Sequence, residues 1–274
     1  MIPMVIFYLL VYIIWVSANT KCSNESPLIS PKYFLIEKCY RSKLGVVARA
    51  NYTSVNNCRR LGIEKKALAF NFSPPDAMGS HGKTLEYSCE VLKCAEVSGG
   101  LAMTYDSRYD YYSIYAKPIP HINSTCVPAT GMFYLLRKRL NYTQAEAECR
   151  NMSGVLADVT NEQRTESLAQ LVAGSKLDAA YVGLRTRNTT AFYSTNGDSL
   201  ECSTYRAWAP GHPRRSRKQY DCAAITSRRT WRSVSCKLIL PAICELMPGG
   251  PYRIGSIFPN HDGFCLDFTV YNNN

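Results

Sequence analysis

The sequence contains few of the patterns that mark a catalytic or metal-binding site. Its four histidines are scattered along the chain, at His81, His121, His212 and His261. None of them belongs to a His-Glu-x-x-His motif, and no two cysteines have Cys-x-x-Cys spacing, so the usual zinc-ligand patterns are missing. A Gly-x-Ser-x-Gly nucleophile elbow is missing too. We therefore predict a protein that is not an enzyme and that needs no metal or cofactor.

Long apolar runs are scarce as well. The run from Met4 to Val16 has 13 residues, fewer than the ~20 that a membrane-spanning helix needs. The small residue Ala18 follows it, so we predict a signal peptide over residues 1–18 that is cleaved after Ala18. The run has no basic residue before it, which leaves an uncleaved anchor as the alternative. No later segment could span a bilayer.

Two features of the remaining chain favour a secreted, extracellular glycoprotein. All 12 cysteines lie beyond Ala18, and an even number of cysteines is typical of an oxidising compartment. Asn-x-Ser/Thr sequons predict N-glycosylation at Asn24, Asn51, Asn123, Asn141, Asn151 and Asn188. A seventh sequon, at Asn71, is a poor candidate because Pro74 follows its Ser73.

Proline-rich breaks divide the mature chain. Lys117-Pro118-Ile119-Pro120 interrupts regular structure, and Met247-Pro248-Gly249-Gly250-Pro251 ends the central region. We therefore predict one domain over residues 19–118, a second over 121–247 and a C-terminal tail over 248–274. Nearly half of the residues, 46%, are hydrophobic, which excludes wholesale disorder.

The central region has an α+β pattern. Thr143 with Glu146, and Thr160 with Gln163, have the spacing of capping boxes, and each pair precedes a helical pattern. Polar turns then separate short strand-like runs. We predict strands at 180–184, 191–193, 222–226, 231–236 and 241–246. Two helices followed by short antiparallel strands are typical of an α+β fold.

Three motifs and four cysteines in this region occur in a recognisable order. The motifs are Tyr181-Val-Gly-Leu184, Trp208-Ala-Pro-Gly-His-Pro213 and Ile243-Cys-Glu245. The cysteines are Cys149, Cys222, Cys236 and Cys244. Over residues 126–247 the chain therefore resembles the C-type lectin-like domain, a fold of two helices and antiparallel strands with a long loop. The resemblance implies the disulfide bonds Cys149–Cys244 and Cys222–Cys236, and it leaves Cys22, Cys126, Cys202 and Cys265 without assigned partners.

The long loop departs from the members of this family that bind sugar through calcium. Those members carry Glu-Pro-Asn or Gln-Pro-Asp in the loop and Asn-Asp after a strand tryptophan. Here the corresponding residues are His212-Pro213-Arg214, then Arg232 and Ser233 after Trp231. Calcium prefers carboxylate and amide oxygens, and the arginines would repel it. We therefore expect no calcium-dependent sugar binding at this loop.

Positive charge takes the place of those ligands. The formal net charge of the chain is +11, and residues 205–232 contain eight basic residues and one acidic residue, a net charge of +7. Arginine forks suit sulfate, phosphate and carboxylate groups, so we predict an acidic ligand. The predicted contact residues are Arg206, Trp208, His212, Arg214, Arg215, Arg217, Arg228, Arg229 and Arg232.

Two other interpretations of the basic segment stay open. It can be a solvated loop without a ligand. It can also be a processing site, because Arg214-Arg-Ser-Arg217 has the form that proprotein convertases cut, after Arg217. A secreted glycoprotein is not expected to bind nucleic acid.

The N-terminal region, over about 36–118, combines a helical pattern, strand patterns and cysteines. The predicted helix over 51–60 carries Cys58, Ala67–Phe72 alternates like a strand, and Cys89-Glu-Val-Leu92 and a tyrosine-rich segment follow. The region therefore resembles the PAN/apple module, a small disulfide-rich α+β adhesion domain. The resemblance implies a Cys58–Cys89 bond, and we pair Cys39 with Cys94. The second helical cysteine that is usual in the PAN/apple family is missing from this chain.

These features together predict a secreted, non-catalytic recognition or adhesion protein. Its lectin-like domain would bind an acidic or sulfated glycan, or an acidic surface, without calcium. One alternative is a structural extracellular-matrix protein whose lectin-like domain binds a protein partner. The other is a carbohydrate binder that uses a different surface.

Overall fold

The computed structural model describes residues 30–75, 86–115, 119–187, 191–214, 220–249 and 257. The predicted signal peptide lies outside the described residues, as do Cys22, Cys265, Asn24, Asn188, Arg215 and Arg217. Within the described ranges, no helix is both long and apolar enough to cross a membrane. The chain divides into two compact units. In the described residues, one comprises 30–136, 149–154, 244–249 and 257, and the other comprises 137–148, 155–187, 191–214 and 220–243.

The first unit contains a five-stranded antiparallel sheet and one helix. The strands follow the spatial order β1-β5-β3-β4-β2. The elements are β1 (Phe34–Ser42), β2 (Val46–Ala50), α1 (Val55–Glu64), β3 (Ala69–Phe72), β4 (Cys89–Leu92) and β5 (Met103–Ser113). The helix begins after Ser54, whose side chain accepts a hydrogen bond from the Asn56 backbone N–H and so caps the first turn.

Helix α1 is joined to this sheet by a disulfide bond. Cys58 of α1 and Cys89 of β4 are bonded, with their Cα atoms 5.7 Å apart. The rings of Phe70 on β3 and Tyr112 on β5 stack with their centroids 4.8 Å apart. Tyr33 packs on Phe70, and its hydroxyl donates to the Ala67 carbonyl at 2.6 Å. The helix, strand and cysteine patterns of this region therefore form the elements that the sequence predicts, whereas membership of the PAN/apple family stays a prediction.

A cluster of buried polar side chains is centred on Asn71, which follows Phe70 on β3. Asn71 of β3 is fully buried; its Oδ1 accepts from the Ser42 N–H at 2.9 Å, and its Nδ2 donates to the Ser42 carbonyl at 2.7 Å. Its Nδ2 also donates to Glu90 Oε2 at 3.1 Å. Burial alone would raise the pKa of Glu90, but hydrogen bonds from Arg41, Asn71 and Arg49, with the charge of Arg41, hold it below its ordinary value. The side chain of Asn71, the asparagine of the seventh sequon, is thus buried and used in hydrogen bonds within the fold.

One predicted disulfide pairing is wrong. Cys94 is bonded to Cys126, with their Cα atoms 5.8 Å apart, and not to Cys39. Cys94 follows β4 and Cys126 lies in β6 (Ser124–Val127), so the bond joins cysteines on the two sides of the predicted connector. Cys39 is buried in β1 and takes part in a different disulfide bond, as does Cys202. Sequence spacing alone does not report such spatial proximity.

The remaining elements include two helices and the strands of a second sheet. After β6 come β7 (Gly131–Leu140), α2 (Tyr142–Asn151), β8 (Gly154–Leu156), α3 (Glu162–Gly174), β9 (Ala179–Thr186) and β10 (Phe192–Ser194). A short 3₁₀ helix (Leu200–Cys202), β11 (Cys222–Thr226), β12 (Trp231–Val234) and β13 (Leu240–Leu246) follow. The strand order is β12-β11-β9-β13-β7-β6, with β10 beside β9 and β8 beside β13. The α+β prediction is confirmed, and the elements predicted between 142 and 246 are present.

The helix caps differ from the predicted ones. At α2, Asn141 Oδ1 accepts from the Gln144 N–H at 2.9 Å, and Gln144 Oε1 accepts from the Asn141 N–H at 3.3 Å. At α3, the cap is Asn161, whose Oδ1 accepts from the Arg164 N–H at 2.9 Å. The Thr160 hydroxyl instead donates to Asp158 at 2.8 Å. Asparagine caps a helix as well as threonine does, so the sequence alone does not distinguish neighbouring cap residues.

Two disulfide bonds and a buried tryptophan hold the lectin-like framework. Cys149 of α2 is bonded to Cys244 of β13, and Cys222 of β11 is bonded to Cys236. These are the pairings that the resemblance implies. Trp231 of β12 is fully buried, and its indole N–H donates to the Thr165 hydroxyl of α3 at 3.1 Å. Helix α3 and strand β12, which follows the basic loop residues, are therefore held together by a satisfied polar contact.

Candidate functional site

The long loop is attached to β12 by backbone hydrogen bonds. The Trp231 N–H donates to the Ala207 carbonyl at 2.7 Å, and the Ala209 N–H donates to the Trp231 carbonyl at 2.8 Å. The His212 N–H then closes a turn on the Ala209 carbonyl at 2.9 Å. The peptide bond between His212 and Pro213 is cis. These bonds place the residues after Gly211 beside β12.

Trp208 of the long loop packs against two other aromatic rings. Its ring meets Trp231 edge to face, with centroids 5.5 Å apart, and lies 4.8 Å from the ring of Phe192. Trp208 is half-buried and does not belong to the set of residues that line the neighbouring groove. The structure therefore gives Trp208, which we predicted as a contact residue, a packing role.

A groove of about 560 Å³ lies between the loop and β12. Three predicted contact residues, His212, Arg214 and Arg232, meet in its lining. The other described lining residues are Ala209, Pro210, Tyr220, Ser233, Val234, Ser235 and Leu238. None of these described lining residues is acidic, so the groove carries uncompensated positive charge.

His212 and Ser233 form the polar centre of the groove. Nδ1 of His212 accepts from the Ser233 backbone N–H at 3.0 Å and lies 3.0 Å from the Ser233 hydroxyl. Because Nδ1 accepts, the proton of the neutral ring is on Nε2. Burial, and then the charges of Arg214 and Arg232, hold the pKa of His212 below its ordinary value of 6.5. The ring is therefore neutral at physiological pH and presents an N–H donor.

Arg214 is oriented by two neighbours. Its backbone N–H donates to the Ser233 hydroxyl at 2.8 Å, which ties the residue after the cis-proline to β12. Its guanidinium lies over the ring of Tyr220, 5.1 Å from the centroid, and Nη1 donates to the Tyr220 hydroxyl at 3.3 Å. Stacking on an aromatic ring orients the guanidinium plane and leaves several of its five N–H donors for a ligand.

The other described arginines between residues 205 and 232 do not line the groove. Arg206 turns back on its own chain and donates to the Ser203 and Tyr205 carbonyls at 2.6 and 2.7 Å. Arg228 and Arg229 lie at the turn between β11 and β12, and Arg229 forms an ion pair with Glu166 at 2.8 Å. That turn is at the opposite end of β11 from Tyr220, and neither arginine lines the groove. Of the predicted arginines that the structure describes, Arg214 and Arg232 line the groove.

Tyr220, Val234 and Leu238 line the groove but are not among the contact residues that the sequence predicts. Ser233 stands out in the sequence only as a replacement for a calcium ligand. The hydrogen bonds of Ser233 to His212 and Arg214 depend on the cis-proline loop meeting β12, and no local pattern reports that contact.

A protein-family model matches the part of the chain that contains this site. The family model of the lectin C-type domain matches residues 138–246, the segment that contains α2, α3, the cis-proline loop and the final strand. This segment is a C-type lectin domain. Collectin-10 of Gallus gallus is 28% identical over 115 residues, and the matched part covers 42% of this chain and 41% of the relative. The chain therefore spans less than half the length of that relative.

Two further proteins are similar to part of this chain. Lithostathine-2 of Mus musculus is 24% identical over 140 residues, which cover 47% of this chain and 79% of the relative. The solved structure of human lithostathine is 20% identical, with a TM-score of 0.41, and the alignment covers 46% of this chain and 97% of that chain.

The described side chains of the long loop and β12 do not fit a calcium ion. Calcium needs six to eight oxygen ligands, whereas the loop and β12 present His212, Arg214 and Arg232. In the part of the chain that the structure describes, no cluster of three or more His, Cys, Asp or Glu side chains could hold a metal. Two guanidinium groups are chemically complementary to an anion in the same position.

Proposed function

We propose that the protein is a secreted recognition protein whose C-type lectin domain binds a sulfated or otherwise acidic glycan without calcium. The observation that carries the proposal is the convergence of Arg214 and Arg232 with His212 on one groove whose described lining contains no acid. The sequons and the even cysteine number support an extracellular location.

The groove suits a sulfate or carboxylate group on a sugar. Arg214 and Arg232 supply charged donors, and Nε2–H of His212 supplies a neutral one. Arg214 is held by Ser233 and Tyr220 before any ligand arrives, so less side-chain freedom is lost on binding than for an unrestrained arginine. Pro210 and Leu238 offer apolar surface to the faces of a sugar ring.

Binding of the secreted chain to sulfated, carboxylated and neutral glycans, with and without EDTA and across a salt series, tests the proposal. We expect sulfated glycans to bind, EDTA to have no effect, and salt to weaken the complex because screening reduces the attraction between exposed charges. Hydrogen bonds to charged groups contribute about 1.5–3 kcal/mol each. The double variant Arg214→Ala with Arg232→Ala should therefore lose at least about tenfold in affinity, which corresponds to about 1.4 kcal/mol.

The matched control removes the same amount of charge from elsewhere in the domain. Arg228 and Lys138 are both exposed and do not line the groove, so Arg228→Ala with Lys138→Ala should change affinity only slightly. Equal losses in the two double variants would indicate nonspecific attraction to net charge and contradict the proposal. Binding of neutral sugars that EDTA abolishes would also contradict it. Capture of a protein with no glycan binding would favour a structural role.

A further inference from the structure

Two large apolar side chains are exposed beside the cationic groove. Leu238 is 46% exposed and Ile239 is 57% exposed. They are the only adjacent pair among the large hydrophobic residues that the structure describes as exposed. Leu238 also lines the groove, whereas Ile239 does not. The apolar pair, which we call the apolar turn, therefore adjoins Arg214 and Arg232 without filling their site.

The apolar turn is held rigidly. The Cys222–Cys236 disulfide ties its start to β11, and the Leu238 N–H donates to the Ser235 carbonyl at 3.0 Å. The Tyr181 hydroxyl lies 2.7 Å from the Leu238 carbonyl and 2.9 Å from that of Ser235. With its backbone fixed in this way, the turn cannot easily fold Leu238 and Ile239 into the domain. Their apolar surface stays in water until something else covers it.

The charges around the apolar turn indicate what covers it. Lys237 is exposed on the same turn, and Arg214 and Arg232 lie in the adjoining groove, so cations border the apolar pair. An arrangement of exposed Leu and Ile beside basic residues is complementary to a membrane surface with anionic head groups. Each cation near such a surface is attracted to it, while the apolar side chains enter the boundary between head groups and acyl chains.

We infer that the groove takes its sulfated sugar from a sulfated glycolipid in a bilayer, with Leu238 and Ile239 entering the lipid interface. The inference rests on the proposed function, because the groove must first recognise the sulfate. It adds the membrane as the place where the sugar is presented. The sugar head group of a glycolipid lies directly above the acyl chains, which is the juxtaposition that the groove and the apolar turn offer.

Co-flotation of the secreted chain with phosphatidylcholine vesicles tests the inference. One set of vesicles contains sulfated galactosylceramide and the other contains unsulfated galactosylceramide. A soluble sulfated oligosaccharide is measured in parallel. We expect Ile239→Ser to weaken binding to the sulfated vesicles by about fivefold, since a largely exposed isoleucine contributes on the order of 1 kcal/mol when it is buried. Its affinity for the soluble oligosaccharide should not change.

The control and the possible outcomes separate this inference from the proposed function. Leu101 is 70% exposed and lies in the other unit, so Leu101→Ser should leave vesicle binding unchanged. Unchanged vesicle binding by Ile239→Ser, or equal weakening of vesicle and oligosaccharide binding, would overturn the inference and leave the proposed function standing. Wild-type chain that binds neither the oligosaccharide nor the vesicles would overturn both. Equal binding to sulfated and unsulfated vesicles would also overturn the inference.

Discussion

Gly183 allows two strands of the C-type lectin domain to approach closely, and replacing it with alanine should destabilise the domain. Its N–H donates to the Ala157 carbonyl at 2.9 Å, so β9 lies directly against the end of β8. A Cβ atom at this position would lie 2.5 Å from the Leu156 carbonyl oxygen and would also meet the methyl group of Thr195. The threonine side chain can move, but the carbonyl belongs to the backbone of β8. The strands must therefore separate or distort.

The expected cost follows from that overlap. Extra methyl groups in a tightly packed core lower the free energy of unfolding by about 1–3 kcal/mol. Because the overlap at Gly183 is with a fixed backbone atom, we expect Gly183→Ala to lower it by about 3 kcal/mol. A domain with a typical stability of about 5–15 kcal/mol would remain folded. The urea midpoint should fall by on the order of 1 M or more at the slopes usual for small domains.

Tryptophan fluorescence during urea unfolding measures this change. Trp208 and Trp231 lie in the lectin domain, and the third tryptophan, Trp15, belongs to the predicted signal peptide. Gly174→Ala is the matched control, because Gly174 ends α3 and a Cβ there would meet no atom within 4 Å. Alanine should stabilise that helix by about 0.5 kcal/mol. If Gly183→Ala unfolds at the wild-type urea concentration, β8 and β9 do not approach as described and the reasoning is refuted.

Three other predictions concern the groove and the buried sequon. Arg232→Ala should raise the pKa of His212 in an NMR titration by removing a nearby positive charge, whereas Arg228→Ala should not; equal responses would show that Arg232 is not beside the ring. A bound sulfate favours the charged imidazole, so affinity for a sulfated oligosaccharide should rise as the pH falls through the range in which His212 gains a proton, and His212→Gln should abolish that rise. Glycopeptide mapping should find Asn71 unmodified because its amide is buried and donates to Ser42 and Glu90; a glycan there would contradict the placement of β3.

The lectin framework could be predicted because its signals are local or ordered along the chain. Short motifs such as Tyr181–Leu184 and Ile243–Glu245 occur in the family's order with four framework cysteines. The strand and helix patterns between 142 and 246 indicate α2, α3 and the strands β9 to β13, but not the short strand β8 or the 3₁₀ helix. Each of these signals depends on side-chain alternation, helical spacing or a motif, which the sequence displays directly.

Other predictions failed or stayed open because they depend on contacts between distant residues. The Cys94–Cys126 bond joins residues 32 positions apart, and no spacing rule favours it over Cys39–Cys94. The capping residues are Asn141 and Asn161 instead of the predicted Thr143 and Thr160. Several neighbouring polar residues could each accept a hydrogen bond from the first turn, and the sequence does not distinguish them.

For the candidate site, the sequence by itself determined the chemistry: a basic long loop in which the family's calcium ligands are replaced by histidine and arginine. Only the tertiary structure decided which charges act together. The cis-proline loop meets β12 through Ser233, which brings Arg214 and Arg232 into one groove, while Arg229 pairs with Glu166 at the far turn. Charge is a property of each residue. The place where a charged side chain lies depends on hydrogen bonds between segments that are far apart in the chain.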